Sequence, residues 1–179
     1  MLLMKSKKYY IWFSLFVFLL FSFVGFFFPN FLTEEILNLL REITKETLGL
    51  GWGGLINFIF LNNFQSSLIA ILFGIFLGII PFFILITNGY VLGFVMNKSV
   101  GLEGVAILWK LVPHGIFEIP AFMISVGLGL NLGMFFFNHS KHETFKERLI
   151  SSLRAFLFIV VPLLILAAII EGSCIWFFG

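Results

Sequence analysis

Cysteine occurs once in this sequence, at Cys174. No internal disulfide can form, and a multi-cysteine metal site is excluded. Charge is scarce too: Asp, Glu, Lys and Arg make up 11% of the 179 residues, against roughly 25% in soluble domains. The net charge is only +2 and no basic patch is interleaved with aromatics, so nucleic acid is not an expected partner. Apolar residues take the place of the missing charge. Of all residues 60% are hydrophobic, and 27 are phenylalanine. A chain of this size cannot hide so much apolar surface in a core of its own. The remainder must face hydrocarbon, so the chain reads as an integral membrane protein whose first partner is membrane lipid.

The first apolar run, 9–28, follows Lys5, Lys7 and Lys8 and ends at Pro29. It is about the 20 residues that a bilayer span requires, and no small-x-small cleavage site closes it. An uncleaved first span is therefore expected. A polar interval, 30–63, comes next. Within it Thr33 is placed to cap a helix whose first turn carries Glu34 and Glu35. Ile36, Leu39, Leu40, Ile43 and Thr47 recur at helical spacing, opposite Arg41, Glu42, Lys45 and Glu46. That pattern describes an outer amphipathic helix. Further spans are expected at 66–87, 113–137 and 155–178, with a weaker one at 90–112 that carries Lys98, Glu103 and Lys110. The fold class is all-α: a polytopic transmembrane helix bundle, a single integral membrane domain, with about five crossings plus the outer amphipathic helix.

Cytoplasmic loops carry the Lys/Arg excess of membrane proteins. Here the N-terminus has three lysines, and 138–154 has Lys141, Lys146, Arg148 and Arg154. Placing both in the cytoplasm requires an even number of crossings between them, so 90–112 must cross. The alternative leaves 90–112 re-entrant. With five crossings the expected location is the cell membrane, multi-pass, with a cytoplasmic N-terminus.

This arrangement gives the polar residues of the spans an address. Glu118 lies five residues after Pro113, roughly 7 Å into the fourth span, and Glu171 seven residues before Phe178, roughly 10 Å from the outer end of the last. His114 is one turn above Glu118 on the same helix face, and Lys110 is close to that end. A His114–Glu118–Glu171 cluster with Lys110 is expected in the outer half of the bilayer. It either pins two helices together or forms a polar site for a ligand, ion or partner. Asn62, Asn63 and Asn88 read as polar groups at helix ends, with a lining shared with the cluster as the alternative. Gly74-x-x-x-Gly78 and Gly129-x-x-x-Gly133 carry the spacing that lets helices approach closely in lipid; a homo-oligomer seam is the alternative use.

Catalytic residues are not expected. Zinc proteases use HExxH on a helix, whereas here the order is His-x-x-x-Glu and the remaining histidines, His139 and His142, fall at the other membrane face. No metal site and no cofactor is expected.

The ordered set Phe60-x-Asn62-Asn63, Phe73-Gly74-x-x-x-Gly78, Asn88-Gly89-x-x-x-Gly93, His114-Gly115-x-x-Glu118-x-x-Ala121 and the membrane carboxylate Glu171 resembles the stage II sporulation protein M family, over roughly residues 9–178. The best-described member of that family recruits cell-wall hydrolases to the septal membrane of endospore formers. Relatives occur in non-sporulating bacteria and in archaea. The resemblance implies a non-enzymatic membrane scaffold with other membrane or envelope proteins as partners, and it implies importance for His114, Glu118, Glu171 and the asparagines. A small transporter or ligand-binding membrane protein built on the outer cluster is the alternative.

Overall fold

The computed structural model describes residues 2–105, 108–137 and 144–178, with side chains over 8–105, 115–137 and 144–177. The described residues are almost entirely helical: α1 (Leu2–Phe27), α2 (Thr33–Thr47), α3 (Trp52–Leu72), α4 (Ile79–Glu103), α5 (Leu108–Gly133), α6 (Phe145–Ala155) and α7 (Val161–Phe178). Five stretches are long and apolar enough to cross a membrane: Lys8–Phe27, Trp52–Ile75, Ile79–Glu103, Gly115–Phe136 and Phe145–Phe177. Their outer surfaces carry exposed Trp12, Phe16, Phe23, Phe83, Leu157 and Phe158. Backbone donors and acceptors are satisfied inside the helices, which is what hydrocarbon demands. The all-α multi-pass bundle is therefore the fold.

The chain differs from the expected spans in where it turns. The apolar run expected as one span at 66–87 is broken in the middle. A single 3-10 turn, Phe73–Ile75, follows α3, and Leu77 and Gly78 then adopt left-handed φ of 54° and 74°. Gly78 takes that conformation without a Cβ penalty. Pro81 falls in the first turn of α4, where its missing N–H would have no partner anyway. The interval 30–63 is likewise divided, because α3 begins at Trp52. No separate helix starts at 90: α4 runs unbroken through Asn88, Gly89 and Lys98 to Glu103. α5 begins at Leu108, five residues before Pro113. The last apolar stretch reaches back to Phe145, and a π turn, Phe156–Val160, joins α6 to α7. Pro162 cannot donate to the preceding turn. Just before it Val161 N–H reaches Phe156 O, one residue further back than an α-helix would.

Registers between helices fix their directions. Phe13 stacks on Phe82, Gly93 meets Ser22, and Asn97 Nδ2 donates to Phe26 O at 2.9 Å, so α1 and α4 run parallel. Gly127 meets Ile11 and Phe122 meets Phe18, so α5 runs antiparallel to α1. α3 and α5 are parallel: Asn62 and Glu118 line one cavity, and further along a Cβ at Gly129 would fall on Ala70 O. α7 is antiparallel to α3: Gly172 sits against Ile56, and Trp52 Nε1 donates to Ser173 Oγ at 3.1 Å. The start of α1 and the α5–α6 connection therefore share one end of the bundle. α2, the α4–α5 connection and the end of α7 share the other.

α5 is the central helix. Ala121, Met123, Val126, Leu128 and Leu132 are buried, packed against α1 and α4 on one side and α3 and α7 on the other. Gly74 and Gly78 approach Gly129 and Gly133 so closely that a Cβ on either of the latter would strike backbone. These four glycines are used for packing within one chain.

Candidate functional site

α2 builds the roof of the site. Leu32, in a left-handed conformation with φ 53°, turns the chain back over the bundle. Thr33 does not cap the helix; it is the first helical residue, and its hydroxyl donates to Pro29 O at 3.1 Å. The turn is instead held from α4. Tyr90 Oη donates to Phe28 O at 2.8 Å and accepts from Phe31 N–H at 3.0 Å. Ile36 is buried against Tyr90 and Phe94, with Leu37 and Leu40 packed beside it. The charged face, with Glu34, Glu35, Arg41, Glu42, Lys45 and Glu46, stays exposed. The amphipathic reading of 33–47 thus holds, with one apolar face seated on the protein itself.

Past Leu40 the same face covers a cavity of ≈ 280 Å³. Ile43 and Thr47 of α2 line it from one side, Leu55, Phe58, Ile59, Asn62 and Asn63 of α3 from another, and Glu118 of α5 with Glu171 and Ile175 of α7 close it. Glu118 and Glu171 are half-buried, Asn63 is half-buried, and Asn62 is exposed at the edge. Oε2 of Glu171 is enclosed and has no hydrogen-bond partner among the described residues. Five polar side chains from four helices, Thr47, Asn62, Asn63, Glu118 and Glu171, therefore converge in a chamber otherwise lined by carbon.

Two members of the expected cluster, Glu118 and Glu171, have described side chains. Glu118 and Glu171 share the cavity. Glu118 is ten residues into α5, about 15 Å from the helix start at helical rise, because the helix begins five residues before Pro113. The side chains of Lys110 and His114 lie outside the described residues. Asn62 and Asn63 are not at a helix end: they sit in the middle of α3 and line the cavity. Asn88 is not at a helix end either. It lies within α4, with its Nδ2 donating to Ile84 O at 2.8 Å. No group of three or more His, Cys, Asp or Glu side chains assembles into a metal site among the described residues.

Sequence reasoning missed the roof residues Ile43 and Thr47, because nothing local to α2 says what its apolar stripe covers. It also missed a second polar group at the opposite end of the bundle. There Arg148 of α6 is buried, donates to Asn131 O at 3.3 Å and lies 5.4 Å from the Phe135 ring centroid. Asn131 and Ser152 are buried beside it. The Arg148 bond goes to the backbone carbonyl of Asn131, which any residue type supplies, and Asn131 Oδ1 has no hydrogen-bond partner among the described residues, so the residue type at 131 gave no signal of it.

Two comparisons place the chain. An uncharacterized protein of Methanocaldococcus jannaschii is 32% identical over 120 residues, covering 64% of this chain and 55% of that protein. The chain thus spans little more than half the length of that relative. No solved structure matches the chain. The model of the stage II sporulation protein M family matches residues 14–174, which takes in most or all of each of the five apolar helices, the roof and both carboxylates. The chain belongs to the stage II sporulation protein M family.

Proposed function

We propose that the protein is a non-enzymatic scaffold of the cell membrane, with its N-terminus in the cytoplasm, that gathers partner proteins of the envelope on the exposed face of α2. The observation that carries this reading is the division of labour within that helix. One face is committed to the bundle through Ile36 and the Tyr90 clamp. The other presents four glutamates against one arginine and one lysine, and among the described residues their one intramolecular use is the Arg41–Asn38 hydrogen bond. An acidic ridge fixed on a rigid base suits a partner with a basic surface, where complementary charge speeds encounter and sets orientation. In a spore-forming host such partners would be the wall hydrolases of the septum.

Deleting α2 would expose Tyr90 and Phe94 and confuse the outcome. Surface charge reversal is cleaner. The triple substitution Glu35→Lys, Glu42→Lys and Glu46→Lys leaves the packed face untouched. Cross-linking in native membranes followed by mass spectrometry is expected to lose the partners recovered with the wild type. Full recovery with the reversed ridge, at equal expression, would sink the scaffold reading.

A further inference from the structure

The acidic ridge makes no use of the chamber beneath it. Two carboxylates there, Glu118 and Glu171, face one ≈ 280 Å³ space inside a membrane bundle. Like charges so placed repel, and carrying them uncompensated into the hydrocarbon zone is expensive. Oε2 of Glu171 is enclosed without a hydrogen-bond donor among the described residues. Asn62 and Asn63 add two amide oxygens. The rest of the lining is carbon: Ile43, Leu55, Phe58, Ile59 and Ile175, with only the Thr47 hydroxyl besides.

That composition decides the class of ligand. A calcium ion takes six to eight oxygens at about 2.3–2.6 Å, and magnesium a tight octahedron. Among the described residues no group of three or more His, Cys, Asp or Glu side chains gathers here, and half of the lining residues are hydrocarbon. The chamber matches a molecule with a charged N–H head and an apolar stem. A primary ammonium has three donors for carboxylate and amide oxygens. Its carbon stem would replace water against the isoleucines, and an aromatic ring such as Phe58 attracts a cation. We propose that the cavity under α2 is a binding site for a primary organic ammonium, carried either by a small soluble amine or by the headgroup of an outer-leaflet lipid. The site stands independently of the scaffold reading.

The test uses the full-length protein in detergent at low salt. Butylammonium is titrated by calorimetry, with choline as a cation that lacks N–H donors and calcium chloride as the metal control. The wild type is expected to bind butylammonium in preference to both. Glu118→Gln and Glu171→Gln are each expected to weaken binding by about tenfold or more, the usual scale for losing a hydrogen bond to a charged group. Should either variant fail to fold, Ile175→Phe keeps both carboxylates and fills the chamber, and it is expected to abolish the signal. Nanodiscs separate the two sources. Phosphatidylethanolamine suppresses butylammonium binding if the natural ligand is a lipid headgroup, and leaves it intact relative to pure phosphatidylglycerol if the ligand is soluble. Binding that survives Ile175→Phe, or a stronger response to calcium, overturns the proposal. So does a wild type that binds no butylammonium.

Discussion

At the scale of single residues the bundle depends on where side chains are missing. Gly93 of α4 is buried against α1, and a Cβ there would fall on Ser22 O and come within 2.7 Å of Phe26 N. Ser22 cooperates by turning its hydroxyl onto Phe18 O at 2.8 Å, within its own helix. Close backbone approach of this kind is what holds helices together where lipid removes the hydrophobic drive between them. Gly93→Ala should therefore force α1 and α4 apart and destabilise by about 1–3 kcal/mol, the usual cost of overpacking. Gly53 is the internal control. It is exposed in the first turn of α3, and a Cβ added there would meet nothing within 4 Å. Gly53→Ala should be neutral or stabilise by up to about 1 kcal/mol, through helix propensity. Thermal unfolding of the two variants in the same detergent checks both signs; equal loss in the two would remove the steric account.

At the scale of the element, α2 is attached by few contacts, and one of them is replaceable. Tyr90 Oη serves two backbone groups of the α1–α2 connection, Phe28 O and Phe31 N–H. Tyr90→Phe keeps the ring that packs on Ile36 and removes only the oxygen. The two stranded backbone groups should cost about 1–3 kcal/mol locally. Amide exchange over residues 30–47 should then accelerate while α4 stays protected, since local opening is governed by local contacts. Unchanged exchange in α2 would mean that Ile36, Leu37 and Leu40 alone hold the roof. This element also shows what the sequence made legible. The period of Ile36, Leu40 and Ile43 gave the helix and its two faces, because periodicity is a local property. The clamp was not legible: Phe28 and Phe31 are separated from Tyr90 by 62 and 59 positions, and nothing in either segment names the other. The turn at 76–78 was missed for a different reason. Its residues are as apolar as the helices it joins, so hydropathy does not dip, and only Gly78 with Pro81 marks the break.

For the whole molecule, the number of helices long and apolar enough to cross is the five that parity required, even though several span limits were displaced. Parity survives such displacement, because moving a turn from 88 to 77 changes which residues cross without changing how many segments do. Glu118 and Glu171 share a cavity for the same reason: they lie toward the same end whichever residue begins the helix. What parity could not supply was lateral position, which brought Asn62 and Asn63 to the carboxylates and left Asn88 on the exposed side of α4. The same parity makes a topological prediction. Gly101, exposed near the end of α4, and Lys146, exposed at the start of α6, belong to opposite ends of the bundle. With Cys174 replaced by serine, Gly101→Cys in intact cells should react with a membrane-impermeant maleimide, and Lys146→Cys should react only after permeabilisation. This expectation rests on the three lysines before the first span and the four basic residues in 138–154, since positive loops resist export. Labelling of both positions from one side would break the five-crossing topology and, with it, the placement of the Glu118–Glu171 chamber in the outer half of the membrane.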